Sequence, residues 1–293
     1  MKNFIKNIFY PFFILINKVN LKKYNYDIYD TETTLKSLKN NKSISRFGDG
    51  EFELIKGKNL QYQDANIALI HKLKMILMAN DVDDNHFIAI PYALKDMNDL
   101  NYESKKYWIF YKYFRCKQIF KILNDKYKYY DSQITRIYIN RKNKEKSRFY
   151  FKLWKDIWDK KEVLIVEGEF TRFGVNNDLF SNVKSINRII CPSKNAFNYY
   201  SDIYNTIVNF AKDKLVLIIL GPTATLLSYE LSKIGIRAID IGNLDMEYEW
   251  SKAQTRNKIE INGKYSSEIK STDNIEEIKD RKYYQEIIAR IGC

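Results

Sequence analysis

The chain has 293 residues, 45% hydrophobic and 15% aromatic, enough to bury a large core in one big α/β domain or two smaller ones. Three scattered cysteines (Cys116, Cys191, Cys293) argue against a disulfide framework or a paired zinc spacing, and with only His71 and His86 present any metal falls to carboxylates, as Mg²⁺ or Mn²⁺. A formal net charge of +13 draws the chain toward polyanions, whether nucleic acid, an anionic membrane face or phosphorylated small molecules.

The apolar run at 8–16 is broken by Pro11, is too short to span a bilayer and lacks a small-residue cleavage site. Lys2, Lys6, Lys18, Lys22 and Lys23 surround it. Residues 1–30 therefore read either as a basic, aromatic segment lying on an anionic membrane surface or as a helix packed on the domain. The scattered cysteines imply a reducing, cytoplasmic interior, and the first reading would hold the protein peripherally at the inner face of the cell membrane.

From residue 31 onward the pattern is that of a single domain. β-branched apolar runs recur at 43–47, 86–91, 134–140, 162–168, 186–192, 215–221 and 237–242. Helical spacing falls between them at 64–80, 194–213 and 223–235, the last ending at Gly235. Near-continuous apolar strands alternating with helices predict a doubly wound α/β fold, a mostly parallel sheet with helices on both faces. The stretch 104–161 carries eighteen Lys or Arg against five Asp or Glu, interleaved with aromatics. It reads first as a basic helical insertion with its rings turned to the core, and alternatively as a nucleic-acid surface. In the tail, Asn262-Gly263 predicts a hairpin turn and 273–291 a polar helix.

Ligands of such sheets sit at the carboxyl ends of the strands, so the post-strand residues carry the interest. "SRFGDGEF" places Arg46, Asp49 and Glu51 around Gly48 and Gly50, where Asp49 either caps the next helix or faces a ligand. "VEGEFTRFGVNNDLF" collects Glu167, Glu169, Arg172, Asn177 and Asp178 in a long polar loop suited to a phosphate and a sugar or base, or serving as a surface connection. In "GPTATLLSYEL", Gly221, Thr223 and Thr225 open a helix whose amides suit a phosphate, unless Thr223 is simply its cap. "DIGNLDMEYEW" sets Asp245, Glu247 and Glu249 at alternating positions. In extended backbone these carboxylates face one way, which invites a divalent cation.

Together, in order and spacing, "SRFGDGEF", "VEGEFTRFGVNNDLF", "RIICPSKNAF", "LGPTATLLSYEL" and "DIGNLDMEYEW" resemble the GT-D-fold glycosyltransferases from about residue 43 to 268. The resemblance implies a Rossmann-like fold, a UDP-sugar donor and a D-x-E metal element, which falls here on Asp245 and Glu247. Two positions depart from the family pattern: Asn176 stands where a glycine is expected and Asn243 where many relatives have histidine. The expected reaction is transfer of a hexose to an acceptor hydroxyl of a lipid-linked or protein-linked saccharide. Arg172 and the Thr223 helix end would stabilise departing UDP, and Asp49 or Glu51, with Arg46, would serve the acceptor. A nucleotide-dependent phosphotransferase would use the same groups.

Overall fold

The computed structural model describes residues 26–79, 85–269 and 279–293. Most of the expected N-terminal membrane segment lies outside these residues. Eight strands form one sheet: β1 (Ser43–Arg46), β2 (His86–Ile90), β3 (Tyr130–Asp131), β4 (Glu162–Gly168), β5 (Ser185–Cys191), β6 (Leu215–Ile219), β7 (Ala238–Asp240) and β8 (Ile287–Arg290). Their order is β3-β2-β1-β7-β6-β4-β5-β8, and every pairing is parallel. The described α-helices are α1 (Thr31–Leu38), α2 (Asp49–Ile55), α3 (Ile67–Met78), α4 (Tyr102–Arg115), α5 (Lys146–Trp158), α6 (Tyr200–Phe210), α7 (Pro222–Lys233), α8 (Leu244–Lys252) and α9 (Arg281–Glu286).

A parallel sheet must be covered on both faces, and the period of two along each strand decides which residue meets which layer. Val163 and Ile165 of β4, with Ile44, Leu217 and Ile239, pack under Leu35 and Leu38 of α1 and Trp154 and Trp158 of α5. Leu164 and Val166 point the other way, joining Val216 and Ile218 beneath Ile203 and Ile207 of α6 and Leu227 and Leu231 of α7. On that same side Ile88 and Ile90 of β2 meet Leu69 and Leu73 of α3 and Trp108 and Ile109 of α4. The aromatic-rich 104–161 stretch is therefore largely core: Trp108, Tyr111, Tyr129, Phe151, Trp154 and Trp158 are all buried.

Asn66 begins α3 by accepting from the Ala68 and Leu69 amides at 2.9 and 3.3 Å. Asn66→Ala leaves those amides without their acceptor and is expected to lower stability by about 1 kcal/mol, read as a shift in the urea midpoint with unchanged slope.

Three of the expected local elements differ. The 134–140 run is not a strand. The Tyr138 and Ile139 amides donate to the Glu247 carboxylate at 2.7 and 2.9 Å, and their carbonyls accept from Lys144 Nζ at 2.6 and 2.8 Å. A side chain has taken the place of a neighbouring strand, and the sheet edge is the short β3 just upstream. The polar helix expected over 273–291 is, in its described part, the short α9 followed by β8. Ile287, Ala289 and Arg290 pair in parallel with Arg188, Ile189 and Ile190 of β5, with a register irregularity at Ile288, and so extend the sheet edge. Asn262-Gly263 does turn, with Gly263 at φ +75°, but among the described residues no strands flank it to make a hairpin.

Candidate active site

The central neighbours β1 and β7 end in Arg46 and Asp240, at the boundary between the two halves of the sheet. Above the carboxyl ends of the strands opens a cavity of about 1030 Å³. Its floor is built from Arg46, Asp240, Gly168, Ile219 and Gly221. The first turns of α4 form one wall, with Tyr102, Tyr107 and Trp108. Next to it, joined to the α4 N-cap by Asn101 Nδ2 donating to Ile139 O at 2.8 Å, the 136–140 segment brings Arg136, and a strap of residues 256–268 contributes Arg256, Lys258, Tyr265 and Glu268.

Arg46 is locked in the floor. Its Nε donates to Asp240 O at 2.6 Å, its Nη2 to Asp240 Oδ1 at 2.9 Å, and its Nη1 to Ser132 O and Thr135 Oγ1 at 2.9 and 2.7 Å. The guanidinium passes so close to Gly242 that a Cβ there would lie 2.0 Å from Nη2, and Gly242 also has φ +51°. Burial raises the Asp240 carboxyl, while Arg46 pulls it back down. Thr225, expected to meet a phosphate, instead places its hydroxyl 3.1 Å from both Arg46 O and Asp240 Oδ2, behind the cavity.

The glycine-flanked acids do face the cavity. Gly48 is the N-cap of α2 and its amide donates to Glu51 Oε2 at 2.8 Å, so Glu51 closes the helix start and Asp49 is its first residue. Asp49 accepts from the Tyr107 hydroxyl, which ties α2 to the α4 wall. Burial, reinforced by the nearby Asp240 charge, pushes the Glu51 carboxyl up to about 7 despite that amide bond. A carboxyl poised there can take a proton from an incoming hydroxyl.

Gly221 also lines the cavity. It, not Thr223, occupies the N-cap of α7, with Pro222 at the first helical position, and Thr223 is fully buried with its hydroxyl 3.5 Å from Gln63 Oε1.

The remaining expected ligand contacts stand outside the cavity lining. Glu167 is buried and pairs with Arg188 Nη1 at 2.6 Å, also accepting from the Phe173 amide at 2.6 Å. The Glu169 amide continues the β4–β5 ladder by donating to Cys191 O at 2.8 Å. Arg172 Nη1 donates to Gly263 O at 2.7 Å, and Asp178 bonds Lys155 and Lys252 at the surface. The loop after β4 thus spends these polar groups on holding its own shape and on neighbouring elements.

Asp245, Glu247 and Glu249 are not on a strand end but on α8. Residues two apart on a helix point about 200° away from each other, so the alternating acids split between faces. Asp245 and Glu249 share one face. Both accept from Asn177 Nδ2, at 2.7 and 2.6 Å, and from Lys264 Nζ, at 2.6 and 2.9 Å. Glu247 faces the opposite side, where its Oε2 holds the Tyr138 and Ile139 amides. Burial raises its carboxyl, partly offset by Arg136. For Asp245 and Glu247 to share one divalent ion, an oxygen of each must reach it at about 2.0–2.6 Å. Asp245 already has an ammonium and an amide on its two oxygens, so Asp245 and Glu247 do not fit a shared ion. Among the described residues no group of three or more His, Cys, Asp or Glu is arranged to hold a metal.

Apart from Arg46, the cations of the cavity are not legible in the motifs. Arg136 sat inside an expected strand, and Arg256, Lys258 and Glu268 lie in an aperiodic polar stretch. Arg136 and Lys258 both pair with Glu268, which also accepts from Asn243 Nδ2 at 3.0 Å. Burial opposes ionisation of Glu268, but Arg136 and Lys258 prevail and hold its carboxyl below the usual range. Asp240 did carry a signal, as a carboxylate ending a buried strand.

A family model described as the glycosyltransferase GT-D fold matches residues 44–269. The chain is 34% identical over 254 residues to the glycosyltransferase GlyD of Streptococcus pneumoniae serotype 4, covering 87% of this chain and 31% of that protein. A probable glycosyl transferase Gly of Streptococcus gordonii is 34% identical over 250 residues, covering 85% and 36%. The chain thus spans about a third of the length of the curated relatives it matches. Among solved structures, a domain of unknown function 1792 described as having a distinct glycosyltransferase fold superimposes with TM-score 0.88 at 36% identity, over 94% of this chain and 100% of that one. A glycosyltransferase (DUF1792) from Streptococcus sanguinis gives 0.85 at 32% identity, over 91% and 99%.

Proposed function

The chain belongs to the glycosyltransferase GT-D fold family, and from that premise we propose that it transfers a hexose from a UDP-sugar to a hydroxyl of a saccharide acceptor. The acceptor is lipid-linked or protein-linked, in the assembly of a bacterial surface polysaccharide or glycoprotein glycan. The observation that carries this reading is that one cavity is lined both by a carboxyl poised near neutral pH, Glu51, and by Arg136, Arg256 and Lys258. In the transfer, the bond from the sugar C1 to the phosphate oxygen breaks and its electron pair leaves with UDP. A new bond forms from the acceptor oxygen to C1, and the acceptor proton passes to Glu51. Arg136, Arg256 and Lys258 meet the negative charge that grows on the leaving diphosphate. Tyr102, Tyr107 and Trp108 offer ring faces to the acceptor sugar.

Among the described residues no helix is long and apolar enough to cross a membrane. A cytoplasmic position at the inner membrane face, with Lys2 to Lys23 against anionic lipid, would place the cavity where nucleotide sugars are made.

The test is a panel of nucleotide hexoses, each with a simple saccharide acceptor, read as release of free nucleoside diphosphate. One or more UDP-hexoses are expected to release UDP faster when acceptor is present. Consumption of ATP without competition from UDP-sugars would replace this reading by phosphotransfer. Salt-sensitive retention of nucleic acid with no nucleotide-sugar turnover would replace it by nucleic-acid binding through 104–161.

A further inference from the structure

The D-x-E helix lies beside the cavity, yet neither acid lines it, and each is committed to a different wall. On one face of α8, Asp245 and Glu249 receive Lys264, whose side chain is only 2% exposed. Burying a lysine is costly unless its charge is compensated and its donors are used, and here two carboxylates do both. Lys264 belongs to the strap. Around it, Gly263 O accepts from Arg172, the Tyr265 amide donates to Phe170 O at 2.8 Å, and Trp250 Nε1 donates to Ile259 O at 2.8 Å. Ile261 packs on Tyr138, Ile139, Met246 and Trp250. The strap is thereby fixed along α8 while its Arg256 and Lys258 project at the cavity.

On the other face, Glu247 is fully buried and holds two successive amides of the 136–140 segment. That segment brings Arg136, Ile139 and Asn140 to the cavity. Among the described residues the second oxygen, Glu247 Oε1, has no hydrogen-bond partner. A buried carboxylate kept half satisfied is expensive, and what it secures is the placement of this backbone and the field it exerts on Arg136. The two walls then meet where Arg136 and Lys258 converge on Glu268.

We propose that the D-x-E element is a positioning post, in which Asp245 through Lys264 and Glu247 through the Tyr138 and Ile139 amides set the two cationic walls that receive the pyrophosphate of a nucleoside diphosphate donor. The proposal rests on the donor class named above. Asp245 and Glu247 act through other residues, so their loss loosens donor binding without touching a metal. Preorganised cations lose little freedom on binding, and that is what the post supplies.

The experiment compares the full chain with Lys264→Met, Asp245→Asn, Lys258→Ala and the Lys264→Met/Lys258→Ala pair. It measures UDP binding by calorimetry, binding of Mn²⁺ alone by electron paramagnetic resonance, and hydrogen–deuterium exchange over 254–268. Lys264→Met is expected to weaken UDP binding about tenfold or more. It should also speed exchange in the strap and leave Mn²⁺ binding as in the parent. The paired variant should lose no more affinity than the stronger single change, because Lys264 acts through the strap that carries Lys258. Asp245→Asn leaves Lys264 its Glu249 partner, so the fold is kept, and the same changes should appear in smaller measure.

The proposal is overturned if strap exchange is unchanged in folded Lys264→Met or Asp245→Asn. It is equally overturned if Asp245→Asn abolishes Mn²⁺ binding that Lys264→Met retains. Absence of UDP binding in the parent would sink the donor reading instead, while the exchange comparison would still decide whether the post holds the strap.

Discussion

Glu51→Gln is expected to lower turnover by about 10²–10⁴-fold while leaving donor affinity within a factor of a few, because it removes the proton acceptor and little of the donor's binding surface. A base must be ionised to work, so parent activity should rise with pH through the Glu51 value of about 7. That rising limb should vanish from the residual activity of the variant. Stability moves the opposite way. A carboxyl raised from 4.5 to about 7 binds its proton more tightly when folded. Its favourable contribution is complete below 4.5 and is lost as pH climbs to about 7. Above that window the parent bears the cost of a buried charge that glutamine does not have, so Glu51→Gln should be the more stable protein at pH 8, by at most ~3 kcal/mol. A variant that is both inactive and less stable at pH 8 would show that Glu51 serves the helix start and not the reaction.

Arg46→Met is expected to cost about 3–5 kcal/mol of stability in urea denaturation at pH 8, since it leaves Asp240 buried without its countercharge. The Asp240 carboxyl is already raised by burial against the pull of Arg46. Without Arg46 it holds its proton to higher pH, so the penalty should shrink as the solution is acidified. Adding Asp240→Asn should recover much of the loss, because a neutral pair is easier to bury than a lone charge. Equal stability of Arg46→Met and parent at pH 8 would mean that the floor of the cavity is not held by this pair. Gly242→Ala probes the same contact from the other side by displacing the guanidinium.

The elements themselves were largely legible. Runs such as "EVLIVEG" and "LVLIILG" can satisfy their apolar side chains only inside a covered parallel sheet, α3 lies within the helical pattern at 64–80, and α7 matches the pattern at 223–235 but begins one residue earlier, at Pro222. Failures came where a pattern was real but its partner was unforeseen. The apolar residues of 134–140 are buried as the pattern requires, yet Glu247 takes the amides a strand would have used. Similarly, Asp245 and Glu247 share a side only if the chain there is extended, and Leu244, Met246 and Trp250 instead bury themselves as a helix.

By itself, then, the order of residues determined the covered parallel sheet, its family resemblance and the Arg46–Glu51 turn at a strand end, because periodicity and glycine placement act over a few residues and are written locally. Only the tertiary structure decided which charges meet. It paired Arg46 with Asp240 from strands distant in the chain, drew Lys264 onto α8, brought Arg136 and Lys258 to Glu268 and raised Glu51 to near neutrality. Charge interactions and burial depend on distance and surroundings in space, and no local spacing encodes those.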